Sequence, residues 1–431
     1  MASERVTFAA VLRVREFRVL WLADAQSAVG DQIARVALSV LVFERTESAA
    51  LTALAYALTF VPAMLGGMLL SGLADRLPRR QVMVGCDVIR AVLLGCMAIP
   101  QVPIWLLCAL LVLAVLTEAP FMAAESSLIP VILDGDQYVV GTGLRTITNQ
   151  VAQLAGFAGG GLVIALIGAR AGLALDAATF AVSAVLIMIA VKARPAAVTD
   201  DPAAADSGGP GVLGGLFSGL RLIFTDSRLR ILLGLSWLAG LFVVPEGVAV
   251  PYAHDIDRGP VAVGLLMAAT PAGTAIGTYL WVRFVPTAIR SRWMGPMAAA
   301  VGVPFALCAW HPNLVLSLVL WTAAGLFFGY QVQVITDFVR SVPDQQRGQA
   351  IGIASSGLLA VQGFGILIGG AVASVWGVNA AVASAGLLGT VLGLGLSWKW
   401  WRTTPRSQPE SAEPIRLPSP TERVTEDRSS A

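Results

Sequence analysis

Apolar residues run along this chain in stretches of about 20 positions, the length an α-helix needs to cross a hydrocarbon core of about 30 Å, and each stretch ends at charge, proline or glycine. Twelve such runs are readable, near 17–43, 51–74, 82–99, 103–128, 138–167, 170–192, 229–253, 258–285, 292–310, 313–339, 345–373 and 377–400. A chain crossing lipid must pair its backbone amides internally, so runs of this length predict helices. The breaks at 100–103 and 310–313 are short, so the runs flanking each form helical hairpins.

Composition agrees with that pattern. The 431 residues are 56% hydrophobic and only 13% charged, whereas soluble domains carry about a quarter charged residues. Net charge is only +2, so no basic excess points to nucleic acid. Cys86, Cys96, Cys108 and Cys308 sit in apolar runs without metal-ligand spacing, and His254 and His311 are far apart, which argues against disulfides, a metal site or any bound cofactor.

Positive charge then fixes an orientation. With the N-terminus in the cytoplasm, Arg5, Arg13, Arg15, Arg18, Arg76, Arg79, Arg80, Lys192, Arg194, Arg221, Arg228, Arg230, Arg290, Arg292, Arg340, Arg347 and Arg402 lie inside, and only Arg45, Arg170 and Arg258 outside. Both termini are therefore expected in the cytoplasm of a multi-pass plasma-membrane protein, the cytoplasmic membrane of a prokaryote. The first run is too long for a signal peptide and lacks a small-residue cleavage site.

Two interruptions divide the chain. Residues 1–16 form a cytoplasmic N-terminal segment and 17–192 a first six-helix bundle. Residues 193–228 form a cytoplasmic linker with an amphipathic stretch from Leu213 to Phe224. A second six-helix bundle occupies 229–401. The tail 402–431, with Pro405, Pro409, Pro414, Pro418 and Pro420 among polar residues, cannot bury a core and reads as disordered.

Ionisable groups inside the runs carry the functional signal, because each costs about 2.5–3.5 kcal/mol on insertion scales unless it has a partner, a wet cavity or a function. The first run holds Asp24, Asp31 and Arg35, the fourth Glu118 and Glu125, the seventh Glu246 and the tenth Asp337; the rest are Asp87, Arg90, Arg145 and Asp176. Seven of these eleven therefore fall on the first helix of each successive group of three. Asp24 and Asp31 are seven residues apart and share a face. Arg35 follows Asp31 by four residues, in reach of an intrahelical ion pair. Asp31 reads either as half of a self-neutralising pair or as a carboxylate that binds and releases a proton. Glu118 lies inside its run, whereas Glu125 is expected near a solvated end. Glu246 stands between Pro245 and Gly247, where the backbone should loosen. Asp176 reads as a packing residue, and Asp337 with Arg340 as a gate or surface ion pair. Four-residue glycine pairs, Gly156/Gly160, Gly273/Gly277, Gly325/Gly329 and Gly365/Gly369, predict close helix packing.

The loop after the second run, Leu73-Ala74-Asp75-Arg76-Leu77-Pro78-Arg79-Arg80, resembles the Asp-Arg loop of the major facilitator superfamily, with Ser71 and Pro78 where that pattern has glycine. Ala28-Val29-Gly30-Asp31-Gln32, Leu175-Asp176-Ala177-Ala178-Thr179-Phe180 and Pro343-Asp344-Gln345-Gln346-Arg347-Gly348 are similar to its enterobactin-exporter-like, multidrug-exporter branch. Gly156-Phe157-Ala158-Gly159-Gly160-Gly161 keeps the glycines of an exporter pattern but has Phe157 at its proline position. The resemblance spans about 14–401. It implies an all-α membrane protein of twelve transmembrane helices in two six-helix halves. Asp31, Arg35, Asp24, Glu118 and Glu246 would lie in or near the translocation path. Asp75, Arg76, Arg79 and Arg80 would form a cytoplasmic gate, with Asp87, Arg90 and Arg145 as partners.

The implied function is secondary active, proton-coupled export of a small amphipathic compound such as a drug, siderophore or secondary metabolite, by alternating access. The expected partners are that substrate, protons and the bilayer, with no nucleic acid and no obligate protein partner. A proton-coupled importer would use the same carboxylates. A membrane enzyme would need a clustered catalytic set, which the sequence does not offer, and no Gly-Lys-Ser/Thr tripeptide provides a P-loop for ATP.

Overall fold

The computed structural model describes residues 6–60, 62, 63, 65, 66, 77–194, 221, 223–343 and 346–403. Among these the chain is helical throughout, with no strand. We number the principal helices α1 (Phe8–Arg13), α2 (Arg15–Thr46), α3 (Ala49–Ala57), α4 (Arg79–Ala98), α5 (Ile104–Ile132), α6 (Asp136–Ile167), α7 (Ala169–Ala190), α8 (Ser227–Gly247), α9 (Ala249–Asp255), α10 (Pro260–Phe284), α11 (Ile289–Trp310), α12 (Leu314–Ser341), α13 (Arg347–Trp376) and α14 (Val378–Thr403). Ten of them, α4 to α8 and α10 to α14, are long and apolar enough to cross a membrane. Helix α2 spans 32 residues, but Asp24, Asp31 and Arg35 interrupt its apolar character. Residues 67–76, in the second apolar run and the loop after it, lie outside the described residues, as do 195–220 and 404–431, which hold most of the expected amphipathic linker and tail.

The helices assemble as two groups. In the first, α7 packs along α2 and α4, and α2 along α6; in the second, α11 packs along α14 and α10 along α12. With no hydrophobic drive between helices in lipid, close backbone approach supplies the attraction. A methyl at Gly273 would stand 2.9 Å from the Gly325 Cα, and one at Gly386 2.6 Å from the Ala306 nitrogen, so only glycine fits these crossings. The hairpin breaks occur as expected: Gln101 and His311 adopt positive φ between α4 and α5 and between α11 and α12.

The groups differ inside. The second is filled with aromatics, Trp321 packing on Tyr252 and Phe305, and Phe242 on Phe305 and Phe328. Among the described residues, the buried charged side chains Asp87, Arg90, Glu125 and Asp176 all belong to the first. Arg194 grips both oxygens of Glu16, and the Lys192 amide donates to the same carboxylate at 3.0 Å, tying the start of α2 to the end of α7. Burial opposes ionisation of Glu16, yet the Arg194 fork and this amide outweigh it and hold the carboxyl below its ordinary range.

The groups meet along two seams. Helix α6 crosses α10 where Gly161 lies against Gly264, and α3 meets α13 where Ala50 and Ala53 lie against Gly370. Both seams lie toward the end of the bundle that carries Arg45, Arg170 and Arg258. Phe43 of α2 and His254 of α9 pack edge to face near the same end, centroids 5.2 Å apart.

Candidate functional site

Helix α2 divides into two halves by composition. From Val36 to Val42 every residue is buried, whereas the preceding turns present Asp24, Ser27, Ala28, Asp31, Gln32 and Arg35 to a cavity of about 350 Å³. Asp87 and Arg90 of α4, Glu118, Phe121 and Met122 of α5, Asn149, Gln150 and Gln153 of α6 and Phe180 of α7 complete its walls. Asp24 and Asp31 thus share the face that their seven-residue spacing predicts. A second, smaller space of about 70 Å³ opens beside Asp31, Arg35, Arg90, Glu118 and Asp176, floored by Leu94, Met97 and Leu111. A polar cavity bounded by helices of membrane-crossing length is an arrangement that binds small solutes and protons.

The expected Asp31–Arg35 ion pair does not form. Among the described residues the ion pairs are Arg145–Asp24 at 3.3 Å, Arg145–Glu125 at 2.5 Å and Arg194–Glu16. Arg35 stays beyond ion-pair distance of Asp31, with its guanidinium carbon 5.9 Å from the centre of the Phe60 ring and in electrostatic reach of Tyr56, Glu118, Asp31 and Glu246. The four-residue spacing brings the two side chains onto one face but does not oblige the longer one to fold back.

Glu125 corrects a second expectation. It is fully buried rather than solvated, and Arg145 holds it together with Asp24. Arg145 is therefore a cross-link of α2, α5 and α6. Asp337 forms no ion pair with Arg340 among the described residues; its Oδ1 accepts from Gln333 at 2.7 Å.

Of the expected gate, Asp75 and Arg76 lie outside the described residues. Arg79 donates to the Ser127 carbonyl at 3.0 Å and Arg80 to the Met188 carbonyl, each joining α4 to a neighbouring helix in the same group. Asp87 accepts from Ser183 at 2.6 Å. Arg90 donates to Thr117 at 3.1 Å, and its guanidinium lies between the Phe121 and Phe180 rings, 5.3 and 5.1 Å from their centres.

Glu246 sits where the loosened backbone was expected: Leu241–Val243 is a 3₁₀ turn and the helix breaks at Val248. Its Oε2 accepts the Tyr56 hydroxyl at 2.9 Å, a hydrogen bond that joins α8 of the second group to α3 of the first. Sequence reasoning missed Tyr56. Its one signal was a hydroxyl within an apolar run.

A polar cavity among helices long and apolar enough to cross a membrane, in a fold of two helical groups packed against each other, is the architecture of a membrane transporter. The family model of the Major Facilitator Superfamily matches residues 20–250 and 246–426, and the chain belongs to that family. It is similar to the multidrug efflux pump Tap of Mycobacterium tuberculosis, 23% identical over 384 residues covering 86% of this chain and 90% of the relative. The Tap pump of Mycolicibacterium fortuitum is 24% identical over 395 residues, 87% and 93% of the two chains. Among solved structures, the peptide transporter POT in complex with sulfate superposes with a TM-score of 0.72 at 13% identity, covering 92% of this chain and 96% of that one. An inward-facing, occupied bacterial homolog of the human lysosomal transporter Spinster superposes with a TM-score of 0.67 at 13% identity, covering 90% and 95%.

Proposed function

We propose that this transporter crosses the cytoplasmic membrane of a prokaryote twelve times with both termini inside, and exports a small amphipathic compound in exchange for protons. The observation that carries this reading is the set of acidic and basic groups around one cavity among helices of membrane-crossing length, with Asp31 on the wall shared by the larger and smaller spaces. A carboxylate there is costly unless it takes up a proton or faces a counter-charge. Export draws support from the relatives named multidrug efflux pumps.

In the orientation that the arginine distribution favours, the seams between the groups lie on the outer side. Alternating access then requires the α6–α10 and α3–α13 seams to part, and the Tyr56–Glu246 hydrogen bond to break with them. Proton occupancy and substrate occupancy bias the two arrangements differently.

Glu118 and Glu246 make the path acidic, which favours cations. Glu118→Gln and Glu246→Gln should each weaken transport of ethidium, a lipophilic cation, more than that of a neutral analogue, by about tenfold if one charge-assisted contact of 1.4 kcal/mol is lost. Competition flux in proteoliposomes with both probes checks this. Equal loss for cation and neutral compound would remove both residues from charge selection.

A further inference from the structure

Two sequence segments singled out above, Ala28-Val29-Gly30-Asp31-Gln32 and Leu175-Asp176-Ala177-Ala178-Thr179-Phe180, meet in the fold. Gly30 of α2 is the contact point: a methyl there would strike Asp176 Oδ1 and stand 2.5 Å from Thr179 Oγ1. Gln26 of α2 donates to the Thr179 carbonyl at 2.7 Å and holds the same crossing. The missing side chain at Gly30 thus admits the Asp176 carboxyl between α2 and α7, where it is 1% exposed.

One of its oxygens is explained. Oδ1 accepts from the Thr179 hydroxyl at 3.0 Å, but Oδ2 is buried and has no partner among the described residues. Asp176 lines the space of about 70 Å³ together with Asp31, Arg35, Arg90 and Glu118, and several waters fit such a volume. No cation forms an ion pair with Asp176 among the described residues. Arg90 lies between two aromatic rings and donates to Thr117 through Nε, with Nη2 buried and unpartnered, Arg35 faces Tyr56, Glu118, Asp31 and Glu246, and Arg145 of α6 holds Asp24 and Glu125. Asp87 of α4, also 1% exposed, keeps Oδ1 unpartnered and adds a further carboxylate to the cluster. Four carboxylates, Asp31, Asp87, Glu118 and Asp176, stand here against the two guanidiniums of Arg35 and Arg90, and lipid penalises the excess negative charge.

We propose that Asp176 is a proton-binding site on the inner wall of the first helical group, holding a proton on Oδ2 and exchanging it with Asp31 through water in the adjoining space. The exchange balances as Asp176 carboxyl plus Asp31 carboxylate giving Asp176 carboxylate plus Asp31 carboxyl, with one proton moved and no other reactant. The proton route then runs from the α2–α7 crossing through the smaller space and reaches the larger cavity at Asp31, which lines both. Its role in transport rests on the proton-coupled reading above; the proton-binding site itself does not.

Infrared spectroscopy of the full-length protein in lipid bilayers tests the site without any substrate. A protonated-carboxyl stretching band should persist at neutral pH in the wild type and be lost in Asp176→Asn, while Asp176→Glu keeps the band at a shifted frequency. In Asp31→Asn the band should remain but titrate at lower pH, because a neighbouring negative charge has been removed. A spectrum unchanged by Asp176→Asn, or a midpoint unmoved by Asp31→Asn, would overturn the proposal. Ethidium flux driven by a pH gradient is the separate arm: Asp176→Asn should lower it while sparing ethidium exchange at equal pH. If Asp31→Asn kept wild-type gradient-driven flux, coupling through Asp31 would fail while the infrared result decided Asp176 on its own.

Discussion

Asp31→Asn should abolish uphill transport and leave downhill exchange in place. At one unit of pH difference, and with the membrane potential clamped at zero, each exchanged proton drives accumulation of about tenfold, since 1.4 kcal/mol is a factor of ten. Asparagine keeps the size of the side chain and removes the group that titrates. The accumulation ratio should therefore fall to about one while exchange of labelled for unlabelled ethidium at equal pH continues. Asp31 is chosen over Asp24 because Arg145 already neutralises Asp24 at 3.3 Å, whereas Asp31 has no ion-pair partner among the described residues and lines both spaces. Gradient-driven accumulation by Asp31→Asn at the wild-type level would move the coupling site elsewhere.

Arg145→Ala should be the most destabilising single change in the first helical group. It removes the only ion-pair partner, among the described residues, of Glu125, whose side chain is 1% exposed, and frees Asp24 at the same stroke. Leaving one member of a buried pair uncompensated costs roughly 3–5 kcal/mol, more than the intact pair contributes. Thermal unfolding in detergent should show a large drop in midpoint. Arg145→Ala combined with Glu125→Gln should recover much of it, because the stranded charge is then gone. A single variant as stable as wild type, or a double variant no better than the single, would contradict the cross-link.

The contrast between these two residues shows what the sequence could carry. The apolar runs were legible because lipid leaves a crossing chain little choice but helix, and ten of them recur as helices α4 to α8 and α10 to α14 with ends shifted by a few residues. The shared face of Asp24 and Asp31 was legible because helical periodicity fixes it locally. Arg145 was placed in a gate, but its partners lie 121 and 20 residues away, and no local spacing announces them. The Asp31–Arg35 pair was inferred from a rule about neighbours on one helix, and it yielded to Tyr56 and Glu246, which only tertiary packing brings near. Asp176 was read as packing because its position along α7 says nothing of Gly30 opposite; the absent side chain on one helix makes room for the carboxyl on another.

The most direct test of proton-coupled export uses the purified wild-type protein in proteoliposomes, inserted in one direction with its cytoplasmic face outward, with an acidic lumen and ethidium added outside. The lumen should accumulate ethidium against its gradient, and the accumulated dye should leave when nigericin collapses the pH difference. Loss of preloaded ethidium from the lumen under the same gradient would make the protein an importer, and accumulation indifferent to nigericin would remove the proton from the mechanism.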